Sequence, residues 1–170
     1  MVVPIIFKTI EESGISSWIR DSPSIFAYWF ILSCHAIGMG LLVGASVVID
    51  LRLLGVAKDL PLAPLRQLYR IIWIGFWIQV VSGSLLLIAY PTKALTNPDF
   101  YLKLTLIGLA VAVMHTIRKR VFTDAAMSEA EMVLKGKALA VWSLVLWTGA
   151  VTAGRLLAYT YSFLKYDYRG

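Results

Sequence analysis

A chain of 170 residues that is 59% hydrophobic and only 15% charged, with a mean hydropathy of +0.75, is too poor in charge for an ordinary water-soluble domain, in which about a quarter of residues are charged. Its net charge of +6 does not mark a nucleic-acid surface, because the basic residues gather at the ends of apolar segments, where membrane proteins use them to set orientation. A single cysteine, Cys34, excludes an intramolecular disulfide, a Cys-x-x-Cys pair and covalent c-type haem attachment.

The predicted fold is all-α: an integral membrane four-helix bundle, one domain over residues 1–170, preceded by a short amphipathic interfacial helix. The opening "MVVPIIFKTIEESGISSW" lacks the basic start, long apolar stretch and small-residue cleavage site of a signal peptide, so it is expected to be retained. Ile6, Ile10, Trp18 and Ile19 recur at broadly helical spacings in this polar stretch, which fits a helix on the membrane surface with Trp18 as its anchor. "RDSPS" ends it, and Pro23 suits the first turn of the next helix.

Spans are expected over residues 24–54, 66–90, 100–117 and 138–164, since roughly 20 apolar residues cross the hydrocarbon core. Asp50 and Arg52 in "VIDLRLLG" mark the exit of the first span into water. "AKDLPLAP" is a loop, "YPTKALTNPDF" a Pro-containing turn, and "TDAAMSEAEMVLKGK" a polar, partly helical connection. No internal repeat is evident. Arg52, Lys58, Arg66, Arg70, Arg118, Lys119, Arg120, Lys135 and Lys137 lie on one side, nine residues, against six on the other: Lys8, Arg20, Lys93, Lys103, Lys165 and Arg169. The positive-inside bias places the nine in the cytoplasm and both termini outside.

Both histidines of the chain fall inside predicted spans. His35 lies about ten residues into the first, about 15 Å from the outer boundary. An ionisable ring at that depth binds a metal, bonds a neighbour or faces a cavity. Tyr28, Ile31, Leu42 and Ser46 share its helical face, and Gly38, one turn on, leaves room for a flat macrocycle. Ser46 can equally bond back to its own helix. His115, in "LIGLAVAVMHTIRKR", lies about 22 Å from the same boundary, with Gly108, Val111 and Ala112 on its face. A lone membrane histidine also serves as an interhelical hydrogen bonder, and small residues also mark tight packing. Two buried imidazoles flanked by small residues favour axial haem ligation, with the two rings on one iron or on two separate haems.

Arg155 in "TAGRLLAYTYSF" starts well inside the outer half of the membrane, where an arginine is costly and calls for a partner. A haem propionate would satisfy it by charge-assisted hydrogen bonds, and Lys103 could reach a second propionate or snorkel to the headgroups. Gly40 with Gly44, and Gly149 with Ala153, read as close helix contacts within or between subunits. Gln79 is a candidate interhelical hydrogen bonder. Trp73, Phe76 and Trp77 are candidates for a macrocycle wall or for ordinary packing, and Cys34 is an inert buried thiol.

The stretches "CHAIGMGLLVGASVVIDLRLLG" and "GFWIQVVSGSLLLIAYPTKALTNPDFYLKLTLIGLAVAVMH" resemble a family of small four-helix bacterial inner-membrane proteins without an assigned function. The shared features are His35 with Gly38, Asp50 to Gly55, Asn97 to Lys103, and His115. The resemblance runs from about Trp18 to Arg155 and implies the architecture rather than a chemistry. The arrangement is also loosely similar to four-helix membrane b-type cytochromes, a likeness of fold alone.

Three functions follow as expectations. The first is a b-type cytochrome-like electron-transfer protein holding haem b, one or two per chain, with His35 and His115 as metal ligands and Arg155, Lys103, Gly38 and Gly108 around the cofactor. Its partner would be a quinol or a redox protein, and an open coordination position would make it an oxidoreductase. The second is a copper protein, since Met39 and Met114 lie beside the histidines and thioether with imidazole suits Cu(I). The third is a structural or assembly subunit, in lipid, whose small-residue faces build a homo-oligomer. Hydrolase and phosphate-loop motifs are missing, and a transporter is less attractive without an inverted repeat.

Overall fold

The computed structural model describes residues 5–123 and 127–167. Seven α-helices follow one another: α1 (Ile5–Glu11), α2 (Gly14–Asp21), α3 (Tyr28–Leu53), α4 (Leu68–Ala89), α5 (Pro91–Leu95), α6 (Pro98–Val121) and α7 (Glu129–Asp167), with a 3-10 turn, Ala63–Gln67, leading into α4. The described residues contain no strand. Four stretches, Tyr28–Leu53, Ala63–Ala89, Pro98–Val121 and Glu129–Leu157, are long and apolar enough to cross a membrane. Only 17% to 28% of their most apolar windows is buried inside the protein. Trp29, Phe30, Ile74, Trp77, Leu109 and Trp142 stand exposed on the outer surface. That much outward apolar surface suits lipid and not water. The architecture is a membrane helical bundle.

The interfacial segment is two helices rather than one. Ser13 breaks it by accepting the backbone N–H of Ser16 as the N-cap of α2. Pro23 is not in a helix: Ser22 and Ser24 hydroxyls accept the N–H groups of Ser24 and Phe26, holding a turned link until α3 begins at Tyr28. Helices α1 and α2 lie against α4 and α5. The unsatisfied C-terminal carbonyls of a helix need partners, and for α4 the Ala89 carbonyl accepts from Ser16 Oγ at 3.3 Å and Arg20 Nη1 at 3.2 Å.

Within the bundle α3 pairs with α4, α6 with α7, and α3 with α7 joins the two hairpins. Helix α6 turns Ala110, Met114, Ile117 and Val121 inward, a helical repeat that meets Leu42, Ile49 and Leu53 of α3 and Ala140, Trp147 and Ala150 of α7 in one core. Asn97 caps α6, accepting the Asp99 N–H at 2.9 Å, with Pro98 in the first turn. Its amide also donates to Thr160 at 2.9 Å, tying the start of α6 to α7. Helix α7 begins with a capping box, Ser128 and Glu131 exchanging bonds. It therefore starts well before residue 138 and takes in much of the expected connection, whose residues 124–126 lie outside the described residues, as do residues 1–4 and the end of the tail, 168–170.

The expectation that Asp50 and Arg52 mark a boundary with water is overturned. Asp50 is 0% exposed and Arg52 5%. The chain turns back over them at Gly55, whose φ of +93° gives the left-handed helix end that glycine favours. Arg52 then donates to the carbonyls of Leu60 and Lys58 and to Glu129 Oε2, and Glu129 Oε1 accepts the Leu62 N–H at 2.9 Å. One guanidinium thus staples the 54–62 loop to the start of α7. Arg52→Ala is expected to cost about 3 kcal/mol, because it leaves buried carbonyls unsatisfied. Glu129→Gln, at a half-exposed partner, should cost about 1 kcal/mol. Denaturant titration in detergent checks the ordering.

Candidate functional site

A cavity of about 470 Å³ opens among α3, α4, α6 and α7 in the half of the bundle nearest α5, within the size of small-molecule sites, about 300–1,000 Å³. Its wall is mostly apolar, with His35 and Met39 from α3, Phe76 and Gln79 from α4, Lys103 from α6 and Trp147 from α7. Tyr28 and Tyr90 line its α5 end, their rings edge to face at 6.0 Å. Tyr90 lies outside the long apolar helices. Burial first, and then Tyr28 beside it, hold its phenol above the ordinary value, so it stands there as a neutral hydrogen-bonding group.

The local chemistry of His35 fixes its tautomer. Ser82 donates its one hydroxyl hydrogen to the Ile78 carbonyl of its own helix. Its oxygen is left to accept, and His35 Nδ1, 3.0 Å away, is the donor. The other ring nitrogen, Nε2, therefore carries a lone pair, and it has no protein partner among the described residues. Gly83 makes room for the ring: a Cβ there would come within 3.2 Å of His35 Cε1. Lys103 stretches its side chain along α7, with Nζ 3.5 Å from where a Gly154 Cβ would stand. Gln79 and Trp147 also line the cavity, but their Oε1 and Nε1 atoms are buried out of its reach and have no partner among the described residues.

The other expected site residues do not join this group. His115 is exposed, because Met114 takes the inward position on α6 and the next residue points about 100° away. It borders a second pocket, far smaller, with Tyr69, Trp73, Met114 and Arg118. Lys103 shares a cavity with His35, and His115 lies twelve residues further along the same helix, about 18 Å at 1.5 Å per residue. The two imidazoles border different pockets. Gly108 is on the outer face with open space around it, and Arg155 is exposed, away from the cavity wall, with no hydrogen bond or ion pair among the described residues.

Gly38 is corrected too. Its missing side chain is filled by α4, since a Cβ would meet Ile78 Cγ2 at 2.7 Å, so it serves a helix crossing and leaves no space for a macrocycle. Gly40 and Gly44 face open space and make no close contact among the described residues, whereas Gly149 sits against Leu106 of α6. Ser46 bonds back to the Leu42 carbonyl at 2.7 Å. Gln79 Oε1 finds no partner across the helices, and of the three aromatic candidates only Phe76 lines the large cavity; Trp73 borders the small pocket and Trp77 is exposed.

Sequence reasoning missed Ser82, Gly83 and Trp147. A signal for the first two was present in "VVSGSLL": a hydroxyl and a glycine in mid-span, where polar and small residues need a neighbour to justify them. No protein-family model, no curated protein and no solved structure matches this chain.

Proposed function

We propose that the chain is a b-type cytochrome-like haem protein of a bacterial inner membrane, working in electron transfer, with His35 as its iron ligand and both termini periplasmic. The observation that carries this reading is the His35–Ser82 bond. A metal-ligating imidazole donates through one nitrogen to a second group, which orients the ring and frees the other nitrogen for the metal. The surroundings fit the group: an apolar cavity of suitable size, a helix-borne imidazole with a free Nε2, and a partly buried Lys103 able to hold a carboxylate. Bound there, the group would supply reversible one-electron chemistry at its iron. The residues of the chain orient it, exclude water and set its electrostatics.

On this reading Lys103, and not Arg155, meets the propionates. Lys103→Met is expected to weaken haem retention about tenfold, the loss of one charge-assisted hydrogen bond. Arg155→Met should leave retention unchanged. Titration of the stripped protein with hemin measures both.

Tyr28 and Tyr90, whose rings line the α5 end of the same cavity, favour a second reading, a quinol whose hydroxyls meet their phenols. The copper reading keeps His35 with Met39 on the cavity wall, though the described residues hold no cluster of three His, Cys, Asp or Glu. The membership suggested by the motifs also stands as a proposal.

Absorption spectra of detergent-purified protein, made with ample haem and recorded oxidised and dithionite-reduced, test the proposal. A Soret band with a reduced α band is expected. A colourless protein that releases quinone into solvent supports the second reading instead. A colourless protein that releases none overturns both.

A further inference from the structure

Away from the cavity, toward the 54–62 loop, α3 and α7 bury a polar group that nothing above explains. Asp50 is 0% exposed and neither carboxyl oxygen has a hydrogen-bond partner. Ser143 of α7, also 0% exposed with an unpartnered hydroxyl, is close enough to interact with it without reaching bonding geometry. Buried polar atoms left unmatched call for a missing partner, and an ionised carboxylate in such a place carries a desolvation cost that only a cation or a proton relieves. From α4 the facing group is Tyr69, whose hydroxyl points to the Met114 carbonyl. From α6, Arg118 lies over the Tyr69 ring, 5.7 Å from its centroid. On the same helix, Arg52 is committed to Leu60, Lys58 and Glu129. No guanidinium or ammonium forms an ion pair with Asp50 among the described residues.

We propose that Asp50 is a proton-binding site, present as a neutral carboxylic acid beside Ser143. Two carboxyl oxygens and one hydroxyl are too few for a metal ion, which takes about six oxygen ligands, whereas a proton needs one donor and one acceptor. Ser143 lies one turn from Trp147, whose indole lines the cavity. Asp50 is two turns from Leu42, on the same wall. The site therefore sits beneath the cavity, where a change of charge on either would be felt by the other. It holds whatever the cavity binds.

Infrared spectroscopy of the full-length protein in liposomes, with and without carboxyl-13C aspartate, tests it. At neutral pH a carboxylic-acid carbonyl band is expected that moves with the isotope, moves again in D2O, and is lost in Asp50→Asn. Ser143→Ala should shift its frequency without removing it. Because the isotope identifies aspartate in the native protein, the test stands even if a variant fails to fold. Aspartate signals of carboxylate alone, with or without added sodium, overturn the proposal. So does an acid band that D2O does not move.

Discussion

Replacing His35 with alanine is expected to remove the Soret and reduced α bands from the purified protein, with at least about a tenfold loss of bound haem. The substitution should not act through misfolding. Ser82 keeps its bond to the Ile78 carbonyl when the imidazole is gone, so no buried donor is stranded, and His35 itself is only half-buried. Imidazole added to the medium should therefore restore part of the spectrum by filling the vacated position. Ser82→Ala gives a graded version: the ring remains, its Nδ1–H loses its acceptor, and retention should fall by about tenfold with a shift in potential. His115→Ala is the control, since that ring borders another pocket, about 18 Å along α6 from Lys103. A full spectrum in His35→Ala, lost instead in His115→Ala, would put the ligand at the wrong end of the bundle.

What the sequence made legible was the part governed by solvent. Four apolar stretches and a polar, aromatic N-terminal segment prescribe spanning and surface helices almost regardless of how they pack. The ends moved because capping is local: Ser128 and Glu131 start α7 early, and Asn97 with Pro98 sets the start of α6. Rotation about each helix axis was less accessible. All four spans are apolar on nearly every face, so hydrophobic periodicity gives no direction, and His115, Gly108 and Arg155 were assigned inward when they face out. His35 lies on a cavity wall and bonds a neighbour, two of the options its depth leaves open, but its partner is on another helix, and depth alone does not specify a neighbour.

The charged pair in "IDLRLL" shows a different limit. Asp and Arg near the end of an apolar run usually meet water. Here the loop folds back over them, a tertiary event that begins with the left-handed turn at Gly55 and closes on Glu129, far away in sequence. The glycines divide in the same way. Gly40 and Gly44 carry the motif spacing yet face open space, while the close helix crossing uses Gly38 and Gly75, which lie on different helices and form no motif.

That crossing carries the second large expected effect. A Cβ on Gly75 would stand 2.7 Å from the Leu42 backbone nitrogen and 2.8 Å from the Gly38 carbonyl. Neither atom can turn aside, so Gly75→Ala must push α4 away from α3, an overpacking cost of about 2–3 kcal/mol. Gly38→Ala meets Ile78 Cγ2 at 2.7 Å, Ile78 Cβ at 3.1 Å and the Gln79 backbone nitrogen at 3.2 Å; the β-branched side chain is held at χ1, so this substitution too should cost about 2 kcal/mol. Gly108→Ala meets nothing within 4 Å, and alanine is the better helix former by about 1 kcal/mol, so it should be neutral or slightly stabilising. The same displacement reaches the site. Ser82 is two turns from Gly75 on α4, and its 3.0 Å bond to His35 spans the very interface that opens. Gly75→Ala should therefore lower both unfolding free energy and haem retention. Gly83→Ala, which presses on His35 Cε1 without touching the α3 backbone, should lower retention with little change in stability. Unfolding in detergent and hemin titration, run on the two variants together, separate them. If Gly75→Ala lost stability but kept its haem, the α3–α4 spacing would have no part in orienting the imidazole.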